Sequence, residues 1–141
     1  MIWQHLPPWM KNPPDSEMLL DGDNFMHVEG ITQFEFPDEY VFFMMKYNGI
    51  CPTENHIVSK SGKEIAISHF LSLRHSDKNS IYRYLPSNSS FKLHHFAIAV
   101  DDDENIICFR VKDGAVIFVN LNNLTEDVVA DNFKEFIDKL Y

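Results

Sequence analysis

The sequence of 141 residues predicts an α+β fold, in which a central, mostly antiparallel sheet is flanked by helices. Three observations support this prediction. Large apolar residues recur at helical spacing after Pro37 and again near the carboxyl end of the chain. Between these segments lie short runs rich in β-branched residues and bounded by turn residues. Because no helical pattern separates most of these runs, the order of elements is typical of α+β domains rather than of βαβ folds.

The length predicts a single domain, and a hydrophobic content of 45% is enough for a core. Residues 1–30 are expected to form a proline-rich arm or irregular start, because four early prolines lack an amide hydrogen and have a fixed φ. Trp3 and Trp9 would hold this arm against the body, although the proline pairs also suit a polyproline ligand. Residues 16–34 are compatible with a helix that Gly22 and Gly30 would weaken.

The segment FPDEYVFFMMKYNG predicts the first clear helix. Pro37 suits a first helical turn, and the acidic residues after it favour the positive end of the helix dipole. Asn48 and Gly49 tolerate the left-handed conformation at which helices often stop. One face would carry a stripe of large apolar residues: Tyr40, Phe43, Met44 and Tyr47. We interpret this stripe as core, although a cofactor-binding face shows the same pattern.

Five strands are predicted in the runs HIVS, EIAISHFLSL, HHFAIAV, NIICFRV and AVIFVN. Residues 60–63 form a hairpin loop between the first two, and Asp113-Gly114 is a strong hairpin signal between the last two. A short helical turn is expected at residues 81–85. In the fourth strand, alternation places Ile107, Phe109 and Val111 on one face of the sheet. It places Ile106, Cys108 and Arg110 on the opposite face.

The segment ADNFKEFIDKL predicts a closing helix that packs on the sheet. Asp131 is the expected N-cap, since its carboxylate can accept a hydrogen bond from the first turn. The apolar stripe of this helix follows the i, i+3, i+4, i+7 pattern: Phe133, Phe136, Ile137 and Leu140.

A run of four acids between the third and fourth strands supplies the candidate partner-binding residues: Asp101, Asp102, Asp103 and Glu104. The formal net charge of the chain is -9, so its field repels phosphate and argues against nucleic acid or an anionic membrane as a partner. The same field favours a basic protein. The alternative is that the run is only a well-solvated hairpin tip.

No metal, cofactor or catalytic site is predicted. An EF-hand loop starting at Asp101 would need glycine at Ile106 and glutamate at Lys112. The sequence also has no GxSxG, GxxxxGK[ST] or GxGxxG motif. Several histidines lack the spacing of a chelating pair: His69, His75, His94 and His95.

The composition predicts a cytoplasmic protein. Cys51 and Cys108 are the only cysteines, which fits a reducing compartment better than a disulfide framework. The start MIWQHLPPWMKNPP lacks the pattern of a signal peptide, and no apolar run approaches the ~20 residues that span a bilayer.

Three segments resemble the SUKH superfamily, which includes fungal cell-wall regulators and many bacterial toxin-immunity proteins. FPDEYVFFMMKYNG is similar to LPxxYxxFLxxxNG, FAIAVDDDENIICFRV to IAxDxxGNxI, and VADNFKEFIDKL to VAxSFxEFLxxL. Order and spacing agree over residues 31–141. Glu104 stands where the family has glycine, so we expect Asn105 or Asp103 to take the positive φ of this turn. Ile50 replaces a second frequent glycine.

The resemblance implies that residues 1–141 form one SUKH-like domain that acts by binding and makes or breaks no bonds. It implies an immunity protein, or antitoxin, that neutralises a cognate toxin, which the acidic charge suggests is a basic nuclease. The alternative is a regulatory protein–protein interaction module without a toxin. A small hydrolase would require His69, His75 or His94 to converge with carboxylates in a buried pocket.

Overall fold

The computed structural model describes residues 22–32, 34–52, 54–74, 77–84 and 94–141. The proline-rich part of the predicted arm lies outside these residues. Within them, the helices are α1 (Gly22–Thr32), α2 (Asp38–Tyr47), a 3₁₀ helix (Ile81–Tyr84) and α3 (Phe133–Lys139). The strands are β1 (His56–Val58), β2 (Glu64–Phe70), β3 (His95–Asp101), β4 (Ile106–Arg110), β5 (Val116–Asn120) and β6 (Thr125–Ala130). None of the described helices is long and apolar enough to cross a membrane.

The six strands form one sheet in the order of the sequence, and each strand is antiparallel to its neighbours. The α+β prediction is therefore confirmed. Register shifts interrupt the pairing of β2 with β3, of β3 with β4 and of β5 with β6. Such bulges bend a strand and increase its twist, so they favour a strongly coiled sheet.

The coiling brings the tip of the β1–β2 hairpin against β6 at the far end of the sheet. The amide of Lys60 donates to the carbonyl of Val128 at 2.8 Å. The hydroxyls of Ser59 and Ser61 donate to one carboxylate oxygen of Asp127, at 2.8 and 2.6 Å. The first and last strands are therefore tied together across the sheet.

The last residue of the chain pairs with the outer edge of β1. The amide of Tyr141 donates to the carbonyl of His56, and the amide of His56 donates to the carbonyl of Tyr141, both at 2.9 Å. An unpaired edge strand is a template for aggregation, and this pairing covers part of the edge.

The core lies between the helices and the sheet and is rich in aromatic rings. Tyr40 on α2 meets Phe109 on β4 and Phe133 on α3, with ring centroids 5.2 and 5.3 Å apart. Phe43 packs on Phe70 of β2 at 4.8 Å. The predicted stripe of α2 is buried in full, so its interpretation as core is confirmed: Tyr40, Phe43, Met44 and Tyr47.

Most of the predicted elements are found, and two details differ. The cap of α3 is Asn132, whose side chain accepts a hydrogen bond from the amide of Glu135, so the prediction of Asp131 was wrong. Both residues have a suitable side chain, but Asp131 lies one position too early and forms an ion pair with Lys60 instead. Strand β6 was not predicted, because only its last two residues are buried.

Candidate partner-binding site

The four predicted acids form the turn between β3 and β4, which we call the acidic turn (residues 101–105). Asp101 builds this turn. Its Oδ1 accepts hydrogen bonds from the amides of Asp103 and Asn105, at 2.9 and 2.7 Å, and its Oδ2 accepts one from the Asn105 side chain at 3.2 Å. Such side-chain to backbone bonds stabilise turns locally. Asp101 therefore has a structural role, and its charge is partly compensated by the amides around it.

The remaining three acids point into solvent. Asp102, Asp103 and Glu104 are exposed, and within the described part of the chain their carboxylates have no hydrogen-bond or ion-pair partner. Three like charges on adjacent residues repel each other. The structure therefore brings three of the four predicted residues together as one patch of negative charge without ion-pair partners.

Glu104 itself adopts the left-handed conformation, with φ of 65°. The expectation that Asn105 or Asp103 would take the positive φ was wrong. The physical reason lies in the closure of the hairpin: Asn105 is held by Asp101 through its amide and side chain, and its carbonyl accepts from the amide of Asp101 at 3.0 Å. The sharp bend falls on Glu104, the residue directly before Asn105, although it lacks the conformational freedom of glycine.

A second turn, which was not predicted from the sequence as part of a site, lies beside the acidic turn. This turn (residues 121–124) joins β5 to β6, and we call it the leucine turn. The amide of Leu121 donates to the side-chain oxygen of Asn105 at 3.1 Å, so one hydrogen bond links the two turns. Leu121 is 44% exposed and Leu124 is 71% exposed, and Leu124 also has a positive φ, of 58°.

Two grooves border the acidic turn. The broad groove, of ≈ 560 Å³, runs between the acidic turn, the base of the leucine turn and the start of β2, with Phe118 among its lining residues. The narrow groove, of ≈ 180 Å³, lies on the other side and is lined by His69, Tyr84, Asp102 and Glu104 among others. Carboxylates line both grooves, together with Lys63 in the broad groove and Arg83 in the narrow groove.

The narrow groove contains one of the three histidines that a hydrolase would need. The Nδ1 of His69 lies 3.2 Å from the hydroxyl of Ser68, and burial lowers the pKa of His69, which favours the neutral ring. His94 precedes β3 at the end opposite the acidic turn, and His75 lies outside the described residues. Asp102 and Glu104 are exposed rather than enclosed, so the described residues do not form the buried pocket that a hydrolase would require.

The described residues contain no group of three or more His, Cys, Asp or Glu side chains arranged to hold a metal ion. Both cysteines are free thiols. Cys51 is exposed, whereas Cys108 is buried in β4, where burial and the nearby Glu126 raise its pKa. A raised pKa keeps Cys108 in the unreactive thiol form at neutral pH.

Several acids elsewhere on the surface are paired with bases. Arg110 binds Asp113 at 2.7 Å and lies 3.9 Å from Glu126, which is 3.6 Å from His95. The bonds from Arg110 and from the amide of Ala115 lower the pKa of Asp113 to about 2. Lys60, Lys134 and Lys139 also have carboxylate partners. The acidic turn differs from these pairs because, in the described part of the chain, no base lies within ion-pair distance of Asp102, Asp103 or Glu104, although Lys63 and Arg83 line the grooves beside it.

Comparison with protein families places most of the chain in a known family. The family model SUKH_6, described as SMI1-KNR4 cell-wall, matches residues 23–137. This range contains the acidic turn, the leucine turn and every strand of the sheet. Neither a curated protein nor a solved structure matches the chain.

Proposed function

Since the chain belongs to the SUKH superfamily, in the family described as SMI1-KNR4 cell-wall, we propose that it is a non-catalytic immunity protein. In this proposal it acts in the cytoplasm and neutralises a cognate toxin by binding it. The toxin is a basic protein, and a nuclease is the class that fits best, because a cleft built to hold nucleic acid is rich in Lys and Arg. No cofactor or metal is involved.

The observation that carries the proposal is the uncompensated charge of Asp102, Asp103 and Glu104. Because Asp101 holds the backbone of the turn, these three acidic residues project from a fixed part of the chain. A patch of this kind can occupy a phosphate-binding cleft. It also accelerates encounter with a cationic protein, since electrostatic steering raises association rates toward ~10⁸–10⁹ M⁻¹s⁻¹ at low salt.

The proposal is tested with the protein encoded by the adjacent gene. Cells that express that protein alone should stop growing, and co-expression of this chain should restore growth. If the adjacent product is harmless, or if it kills equally in the presence of this chain, the immunity function is excluded.

The role of the acidic turn is tested by a triple variant, Asp102→Asn, Asp103→Asn and Glu104→Gln, which leaves Asp101 in place because that residue builds the turn. A matched control removes the same number of exposed acids from α1, from α2 and from the segment between them: Asp23→Asn, Glu35→Gln and Asp38→Asn. Stopped-flow measurements at several salt concentrations should give about tenfold slower association, with a weaker salt dependence, for the first variant only. Equal rates for the two variants would remove the acidic turn from the docking surface.

The second candidate function is a regulatory module that holds a signalling or cell-wall protein. The description of the matching family, SMI1-KNR4 cell-wall, favours this alternative. Gene neighbourhood separates the two functions: a large multidomain toxin gene next to this one supports immunity, whereas a neighbourhood of cell-wall genes supports regulation.

A further inference from the structure

The leucine turn presents large apolar side chains where both solvation and backbone geometry disfavour them. Leu124 is 71% exposed at a φ of 58°, a conformation that asparagine and glycine adopt more readily than leucine. The two residues before it are Asn122 and Asn123, so the turn already contains residues suited to this conformation. A leucine side chain that is exposed in this position contributes little burial of apolar surface to the stability of the fold.

The leucine turn is held firmly by its own hydrogen bonds. The amide of Leu124 donates to the carbonyl of Asn120 at 2.7 Å, and the amide of Asn122 donates to the Asn120 side chain at 2.9 Å. The Asn123 side chain accepts from both the amide and the hydroxyl of Thr125, at 3.1 and 2.7 Å. The exposed leucines are therefore fixed to the sheet, and a partner that binds them does not first have to order a loop.

The leucine turn and the acidic turn form one continuous surface. The hydrogen bond from Leu121 to Asn105 joins them directly, and the broad groove is lined by both, with Asp102 and Asp103 on one side and Asn122 on the other. Apolar groups at the centre of an interface with charges around them are the usual arrangement of a protein-binding surface.

We infer that Leu121 and Leu124 are the apolar anchors of the docking surface, and that the acidic turn is its charged rim. The occupant is a protein with an apolar pocket bordered by Lys and Arg side chains. This inference rests on the proposed function and deepens it, because it assigns the affinity to the leucines and the rate of encounter to the acids. Charge complementarity selects a cationic partner, and the exposed leucines require that partner to provide an apolar pocket.

The inference is tested first by Leu124→Asn, which removes the apolar side chain and supplies a residue that tolerates the positive φ. The affinity for the adjacent gene product, measured by calorimetry, should fall at least ~10-fold, mainly through faster dissociation. The melting temperature should stay the same or rise, because the backbone strain is relieved. A merely structural role of Leu124 would lower affinity and melting temperature together and would overturn the inference.

Met26→Gln is the matched control, since Met26 on α1 is also 71% exposed and lies on another element. This variant should bind as tightly as the unchanged protein. Equal losses of affinity in Leu124→Asn and Met26→Gln, or no loss in Leu124→Asn, would show that the leucine turn is not an anchor.

A second measurement does not depend on the toxin. The isotope-labelled protein is titrated with benzylammonium, which combines an apolar ring with a positive charge, and in parallel with benzyl alcohol and methylammonium. Chemical-shift changes should be centred on residues 101–105 and 120–125 and be largest for benzylammonium. Changes centred elsewhere, or spread evenly, would overturn the inference. If the adjacent gene product does not bind at all, the proposed function fails, while this titration still decides whether the surface exists.

Discussion

At the scale of single residues, Glu104 combines an exposed carboxylate with a backbone conformation that suits glycine. A residue with a β-carbon at a φ of 65° costs roughly 1–2 kcal/mol relative to a right-handed conformation. We expect Glu104→Gly to raise the free energy of unfolding by about 1 kcal/mol, after the greater chain entropy of glycine is subtracted. Urea denaturation measures this change.

The control for Glu104→Gly is Glu104→Gln, which removes the same charge and keeps the β-carbon. It should leave the free energy of unfolding nearly unchanged. If both variants gain equally, relief of charge repulsion rather than backbone strain is the cause.

Asn48 is the residue whose role differs most from its sequence interpretation. Gly49 takes the left-handed conformation, with φ of 73°, while Asn48 is fully buried and its side chain bonds outside the helix. Its oxygen accepts from the amide of Leu73 and its nitrogen donates to the hydroxyl of Ser72, both at 2.9 Å. These bonds fasten the end of α2 to the chain after β2.

We expect Asn48→Ala to lower the free energy of unfolding by about 2–3 kcal/mol, because it leaves the buried amide of Leu73 without a partner. Asn55→Ala is the comparison variant. The Asn55 side chain makes a partly buried hydrogen bond of 3.2 Å to the carbonyl of Ile67, so its loss should cost about 1 kcal/mol. Thermal or urea unfolding of the two proteins checks the order, and an equal loss would contradict this role of Asn48.

At the scale of elements, the contact between the β1–β2 hairpin and β6 depends on Asp127. Its carboxylate accepts from Ser59, whose residue is 4% exposed, and from Ser61. We expect Asp127→Ala to lower the free energy of unfolding by about 1–2 kcal/mol, since it leaves the Ser59 hydroxyl with fewer partners. Hydrogen exchange at the amide of Lys60 should also become faster.

Asp131→Ala is the control for Asp127→Ala, because Asp131 binds the same hairpin tip through an exposed ion pair with Lys60. Exposed pairs contribute about 0–1 kcal/mol, so this variant should unfold almost like the unchanged protein. A larger loss for Asp131→Ala would mean that charge, not the serine contacts, joins the hairpin to β6.

The elements with strong periodicity were predictable from the sequence. The stripe of α2 is buried as expected, because it contains enough apolar residues to determine which face packs. The apolar runs of β3 to β5 are also buried, and since consecutive residues are buried, both faces of these strands are covered. Strand β6 was not predictable in the same way. Its residues Thr125 and Glu126 are exposed, and only Val129 and Ala130 are buried, so pairing with β5 rather than its own pattern makes it a strand.

The candidate site was only half predictable. The run of acids is visible in the sequence. The hydrogen bonds that give Asp101 a structural role, and leave its three neighbours exposed, form only in the folded turn. The segment LNNL reads as an ordinary loop, and its position beside the acidic turn follows from the strand order, which places Asn105 next to Leu121. Exposed leucines become informative only when the strand order is known.

At the scale of the whole molecule, the net charge of -9 has opposite effects on stability and on the proposed binding of a basic protein. Self-repulsion destabilises the compact state, and the Debye length falls from about 30 Å at 0.01 M salt to about 3 Å at 1 M. We expect the melting temperature at pH 7 to rise by a few degrees over this range of NaCl, while association with a basic partner slows.

The same experiment near pH 5 provides the control, because the sequence pI is ≈ 5.1 and self-repulsion is small there. The melting temperature should then respond much less to NaCl. An equal response at pH 5 and pH 7 would assign the effect to salt-induced changes in hydration instead of charge screening.

Because the two thiols differ in burial, their reaction rates report how often the sheet opens. Cys51 is exposed and Cys108 is fully buried in a central strand. A maleimide dye will therefore attach to Cys51 in the native protein and reach Cys108 only when the middle of the sheet separates. The rate at which the second dye is added measures the frequency of that separation, and its slowing by a bound partner measures how strongly the partner holds the native state.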